Sequence, residues 1–359
     1  MSGVLPPRIV RRLLLAPLLL VVTVAVVVNL PLLVIVAAAA SPWLPGRWRA
    51  LRLLWFGLVW LTLESVTLSA CLALWVASGF SDRLRSEPYQ ERHYAIMRWF
   101  LATLVRVATR AFRLRIEVEE PDLTPEEAAA RLTRPVIVLS RHAGPGDSFL
   151  LVHHLLNRYR RRPRIVLKAA LQFDPGLDVV INRLPNAFVT PRRGADTLAD
   201  TLILQAIERL AAGLEPTGAL VIFPEGANFT PRRRLRAIRR LEHREMVEEA
   251  ARARAMRYLL PPRPGGALAA IGAAPTADVI FVAHTGLEDL ITIGDIWNGL
   301  PMEQSLKVRW WRVPRAEVPR GREAQIRWLY DWWARIDAWI GENRPAPLPP
   351  PAHHAPPTP

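Results

Sequence analysis

One cysteine, Cys71, occurs in 359 residues, so the chain forms no internal disulfide and builds no cysteine-based metal site. Lysine is nearly absent too: of 47 Lys and Arg residues, only Lys168 and Lys307 are lysine. Genomic base composition produces such an arginine bias as readily as ligand binding does. The formal charge of +15 therefore favours phosphate-bearing partners without choosing among nucleic acid, anionic lipid and phosphorylated metabolites. Neither an internal repeat nor a Gly-x-Ser-x-Gly nucleophile motif is found. Hydrophobic residues at 51% and charged residues at 22% exclude a wholly disordered chain, and the length excludes a small stapled scaffold.

The apolar content is concentrated at the N-terminus. Leu13 to Ala40 is nearly uncharged, and its roughly 28 residues reach about 42 Å as a helix, enough to cross a ~30 Å hydrocarbon layer with tilt. Arg8, Arg11 and Arg12 ahead of it, with Ala38-Ala39-Ala40 behind, imitate a secretory signal, but the run exceeds a signal core and a second one follows. An uncleaved anchor is expected, with Pro31 permitting a kink. The second run, Leu53 to Phe80, contains Glu64, which must face protein, water or an arginine. Arginines precede, separate and follow the two runs, so charge counting leaves the topology open. From Met97 to Arg110, the arginines at 98, 106 and 110 share one side of a helix, consistent with an interfacial helix or with one packed on the body.

Beyond these segments, period-two alternation over Phe112 to Glu119 predicts a strand with one buried face. Pro135–Ser140, Ile165–Lys168, Ala187–Val189, Ala219–Phe223 and Val279–Ala283 are further strand candidates. Helical spacing marks Phe149–Asn157, Thr197–Ala212 and Leu241–Tyr258. This alternation predicts an α/β fold, a layered sandwich around a largely parallel sheet, with N-terminal membrane helices. Three regions are expected: membrane-anchoring segments over 1–95, an α/β domain over 96–342, and a disordered proline-rich tail over 343–359.

Two polar motifs sit at strand ends, where α/β sheets gather their chemistry. The first is Arg141-His142-Ala143-Gly144-Pro145-Gly146-Asp147-Ser148. Its Gly-Pro-Gly core demands a tight turn that can bring His142 and Asp147 together. A carboxylate fixes the imidazole tautomer and stabilises its cation, making a competent general base. The plain alternative is that Asp147 caps the following helix and His142 is a loop residue. His with Asp five places on arises by chance in roughly a third of chains of this composition. The second motif, Phe223-Pro224-Glu225-Gly226, is far more specific, at a few per thousand.

Together the motifs resemble the glycerolipid acyltransferase family that acylates lysophosphatidic acid, marked by His-x4-Asp and, about eighty residues later, Phe-Pro-Glu-Gly. The resemblance is clearest over Arg141 to Gly294 and implies a glycerol-3-phosphate acyltransferase-like sandwich. It makes His142 and Asp147 the catalytic pair. Glu225 and Gly226 are implied to shape the acceptor site, with Lys168, Arg192, Arg193 and Arg263 as candidates for the phosphates of acceptor or donor. Leu259 to Gly266 and Phe229-Thr230-Pro231 look closer to the branch that acylates lysophospholipids from long acyl-coenzyme A. Three departures concern the acceptor. Ala227-Asn228 replaces the usual Thr-Arg, Pro191 shifts the register so that Arg192 and Arg193 compete for one role, and the late Val-Pro pair gives way to Val279-Ile280-Phe281-Val282.

The resemblance thus implies a membrane-bound O-acyltransferase that moves a fatty acyl group from acyl-coenzyme A or an acyl-carrier protein to a lysophospholipid hydroxyl. The first choice of acceptor is 1-acylglycerol-3-phosphate; lysophosphatidylinositol or a glycolipid is the alternative. Neither metal nor cofactor is called for, and the body is expected on the cytoplasmic side of the cell membrane, where acyl thioesters occur. The dense run Arg232, Arg233, Arg234, Arg236, Arg239 and Arg240 suits either a solvated face or anionic headgroups. With the tryptophans it also supports a non-catalytic anionic-lipid binder. Trp328, Tyr330, Trp332, Trp333 and Trp339 on an expected helix over Glu323–Ile340 favour packing on the sheet over an interfacial belt. Nucleic-acid binding fits poorly, since no such motif accompanies the charge.

Overall fold

The computed structural model describes residues 5–44, 48–121, 124, 133–144, 146–190, 197–288, 294, 297, 300, 302 and 305–345. Arg192, Arg193 and the tail from 346 lie outside them. The described strands are β1 (Arg115–Glu119), β2 (Val136–Ser140), β3 (Arg162–Lys168), β4 (Ala187–Val189), β5 (Gly218–Ile222), β6 (Asp278–Thr285) and β7 (Ser305–Val313). They form one sheet in the order β1-β7-β6-β2-β5-β3-β4. Every pairing is parallel except β6 with β7. The fold is therefore α/β, as the alternation of segments predicts.

Central strands buried on both faces read as continuous apolar runs. Val136 to Leu139 and Ala219 to Val221 are all at most 2% exposed. Period two divides them between two cores: Ile137, Leu139, Leu220 and Ile222 face one, while Val136, Val138, Ala219 and Val221 face the other. The first core is covered by α7 (Thr197–Ala211), α8 (Pro231–Glu242), α9 (Val247–Ala255), α10 (Pro264–Ala273) and α11 (Arg322–Asn343). The tryptophans of α11 belong here. Trp332 stacks on Phe281 of β6 at 4.5 Å and 10°, and Trp333 is fully buried, so packing on the sheet accounts for the aromatic cluster.

The opposite face carries α3 (Arg49–Ala77), α4 (Glu87–Phe112), α5 (Asp147–His153) and α6 (Pro175–Ile181). Tyr94, Met97, Phe100, Leu101 and Leu104 of α4 are buried, which makes Met97 to Arg110 part of a packed helix. The apolar helices α1 (Arg8–Val28) and α3 are long and apolar enough to cross a membrane, and α2 (Leu30–Ala40) prolongs α1. Yet α3 lies along the body from end to end. Arg49 and Arg52 donate to the carbonyls of Leu300 and Ala111, and Arg183 and Tyr89 donate to those of Cys71 and Ala77. Arg11 and Arg12 of α1 both pair with buried Asp178 of α6, at 2.8 and 2.7 Å. Glu64 is buried against Gly176, where an added Cβ would lie 2.0 Å from its carboxylate. The outward residues Leu13, Leu14, Val21 and Val24 are all more than 60% exposed, leaving a broad apolar face.

Three local expectations shift. Phe112 ends α4 rather than opening a strand, because Arg113 adopts a left-handed conformation (φ 56°) that stops the helix before β1. The expected helix Leu241–Tyr258 is divided between α8 and α9 by Glu245 (φ 58°). Strand β7, rich in basic and aromatic residues, pairs antiparallel with β6 and is the strand that sequence reading omitted.

Candidate active site

Because β2 and β5 are adjacent and parallel, with Leu139 opposite Ile222, the loops leaving both strands emerge side by side. His142 follows β2, and Phe223-Pro224-Glu225-Gly226 follows β5. Distance along the chain is thus cancelled by register.

The turn after β2 places Asp147 at the first position of α5. Its carboxylate lies 3.1 and 3.0 Å from His142 Nδ1. Oδ2 also accepts the amides of Ala143 (2.7 Å) and Gly144 (3.1 Å), and Ser148 Oγ lies 3.1 Å from Oδ1. Burial works against ionisation here, but the hydrogen bond from His142, the positive potential of His284 and His142, and the Gly144 amide outweigh it. They hold the Asp147 carboxyl down at about 2. Asp147 is 4% exposed, whereas the His142 side chain keeps 17%. Opposite a carboxylate, Nδ1 carries the ring proton, so Nε2 is left with a lone pair. A shielded anion behind a partly open imidazole is the arrangement of a general base.

Glu225 is 2% exposed and is spent on backbone. Oε1 accepts the His142 amide (2.9 Å) and Oε2 the Leu260 amide (3.0 Å). Full burial pushes its carboxyl up to about 7, opposed by Arg141 and by those two amides. The Phe229 amide in turn donates to the His142 carbonyl (3.0 Å). Both main-chain groups of His142 are therefore fastened to the loop after β5.

Gly226 has φ 68°, a left-handed conformation costly for any other residue. A Cβ there would lie 3.4 Å from the Arg263 guanidinium. Arg263 immediately precedes α10 and donates its amide to the Pro224 carbonyl (2.9 Å). Desolvation lowers its pKa, as do the nearby charges of Arg240 and Arg244, with Asp200 opposing. The structure thus brings His142, Asp147, Glu225, Gly226 and Arg263 into one neighbourhood. Lys168 is exposed at the C-terminal end of β3, two strands from β2.

Sequence reading passed over Arg141, His284 and Glu288. Arg141 is fully buried and bonds to Glu288 Oε1 at 2.6 Å and to the His284 carbonyl. His284 Nε2 lies 3.6 Å from Asp147 Oδ2. A histidine ending the apolar run Val279-Ile280-Phe281-Val282-Ala283 was the available signal.

The model of the Acyltransferase family matches residues 115–284, from the first residue of β1 to the seventh of β6. No curated protein matches the chain. The matched span contains the His142–Asp147 contact and the Glu225 loop that clasps it, so residues 115–284 match an acyltransferase domain.

Proposed function

We propose that the chain transfers a fatty acyl group from an acyl thioester to a lysophospholipid hydroxyl, with 1-acylglycerol-3-phosphate as the first choice of acceptor. The observation that carries this reading is the His142–Asp147 contact at one end of an apolar cavity. That cavity, of about 290 Å³, is lined by Val136, Val138, Leu151, Leu155, Val282 and Val308, with Asp147 and His284 also in its wall. An alkyl chain suits the apolar part of this lining, with its activated end towards Asp147 and His284, while Arg158, Arg160, Arg161 and Arg312 line another part of the wall.

In the proposed reaction His142 Nε2 takes the acceptor's hydroxyl proton while Asp147 stabilises the imidazolium. The oxygen attacks the thioester carbonyl carbon, the carbon–sulfur bond breaks, and the proton on His142 goes to the departing thiolate. Glu225 holds the backbone of His142. Arg263, with Arg240 and Arg244 beside it, supplies positive charge for a phosphate; Lys168, Arg192 and Arg193 remain candidates for the same role.

The apolar helices support a membrane-attached enzyme. Trp60 of α3 meets Phe149 of α5 edge-on at 5.8 Å, so the apolar layer adjoins the helix that bears Asp147. Because α3 lies flat on the body, we favour a layer seated in one leaflet, with the body in the cytoplasm where thioesters are made. The test is a thiol-release assay with acyl-coenzyme A and a panel of lyso acceptors, products identified by mass spectrometry, wild type beside H142A. Acyl transfer by wild type alone is expected. Tight binding to anionic vesicles with no thiol released would leave the non-catalytic alternative.

A further inference from the structure

Asp147 faces two imidazoles. Strand β6 flanks β2 on the side opposite β5, with Ser140 paired to Val282, and this register carries His284 back towards the His142 turn. His284 is 6% exposed. Its Nε2 lies 3.3 Å from the Arg141 carbonyl oxygen and 3.6 Å from Asp147 Oδ2. Both neighbours are acceptors, so the ring proton sits on Nε2, and Nδ1 is bare. Nδ1 is buried and has no hydrogen-bond partner among the described residues. A packing role alone would be filled by an apolar side chain, with no nitrogen left unsatisfied.

The charged groups around His284 are Arg141 from the loop after β2, Asp147 from α5, and Glu288 beyond β6. Burial, then the charge of Arg141, brings His284 to about 4 against the opposing pull of the two carboxylates. Neutral imidazole is the stable form at pH 7, so His284 aims a dipole at Asp147 without supplying a second cation.

We infer that His284 is a positioning residue whose Nε2–H holds the Arg141 carbonyl and the Asp147 carboxylate in place, and thereby sets the ring of His142. The inference rests on reading His142 as the base. Arg141 immediately precedes His142, and its amide donates to the Val282 carbonyl at 3.2 Å. Strand β6 thus grips Arg141 through both its main-chain groups, and reaches the catalytic carboxylate as well.

The experiment compares wild type, H284L, H284Q and H142A in two measurements. One is thiol release from acyl-coenzyme A across pH. The other is carbethoxylation of His142 by diethyl pyrocarbonate across pH, read by peptide mass spectrometry. In H284L, kcat is expected to fall about tenfold or more while KM stays within about twofold. The acid limb of kcat/KM moves to higher pH, because Asp147 without the competing dipole holds the His142 imidazolium more firmly. Carbethoxylation moves in the same direction. Gln, whose amide nitrogen reaches the place of the lost Nε2, restores most of kcat. An H284L variant with wild-type kcat and unmoved profiles overturns the inference, as does a folded H284Q no faster than H284L. Should H284L fail to fold, H284N replaces it, since its shorter amide does not reach that place. If wild type releases no thiol, the functional reading fails, and the carbethoxylation profile still decides the role of His284.

Discussion

The ring of His142 lies 4.7 Å from that of Phe223, centroid to centroid, at 35°. This contact joins the two motifs directly: the first residue of Phe-Pro-Glu-Gly covers one face of the imidazole, while Glu225 and Phe229 hold its main chain. On the proposed base, such an apolar cover limits competing water and leaves Nε2 as the reactive edge.

Removal of the proposed base gives the largest expected effect. H142A should lose about 10²- to 10⁴-fold in kcat. D147N, which keeps the shape but removes the charge, should approach that loss with little change in KM. Steady-state thiol release measures both. D147N at wild-type rates would take Asp147 out of the mechanism.

Asp147 also bears on acid stability. Its folded carboxyl is held at about 2, below the ordinary aspartate value of 3.8, so the stability it contributes is present above about 4 and is lost as pH falls towards about 2. Between those limits the denaturation midpoint of wild type should fall more steeply than that of D147N. Parallel curves would contradict the burial and bonding of this group.

Glu225 has the reverse sign. Burial raises it to about 7, so the folded chain binds more protons than the unfolded one between about 4.5 and 7, and stability from this group declines as pH rises through that window. E225Q should flatten the decline. It should also lower the melting temperature, since its amide NH₂ would face a backbone N–H now paired to an oxygen. Melting temperatures at pH 5 and pH 7.5 test both statements.

For Arg263, loss of a charged hydrogen bond to phosphate is expected to raise the acceptor KM about 10- to 100-fold in R263A. A phosphate-free monoacylglycerol acceptor should show little change. Equal effects on the two acceptors would place Arg263 in the framework rather than at the phosphate.

Membrane attachment is tested through the outward face of α1. Replacing Leu13, Leu14 and Val21, all more than 60% exposed, with Asp should abolish co-sedimentation with lipid vesicles while the circular dichroism of the body persists. Retained sedimentation would move the attachment elsewhere.

Some of this protein could be read from residue order because the causes are local. Val136 to Ser140 and Ala219 to Ile222 are short, largely apolar and β-branched runs, which mark strands buried on both faces. His142 and Asp147, five residues apart with glycines between, meet within one turn. The identity of the α/β fold follows from the spacing of such segments. Other features depend on which strands become neighbours. The junction of β5, β2 and β6 brings Phe223, Glu225 and His284 around a histidine that lies 81 to 142 positions away in the chain. No local propensity encodes that proximity, which comes from burying both faces of β2 at once. The left-handed stops at Arg113 and Glu245, the antiparallel return of β7, and the flat seating of α3 on α4 are likewise settled by packing, because each sacrifices a local preference for contacts made far along the chain.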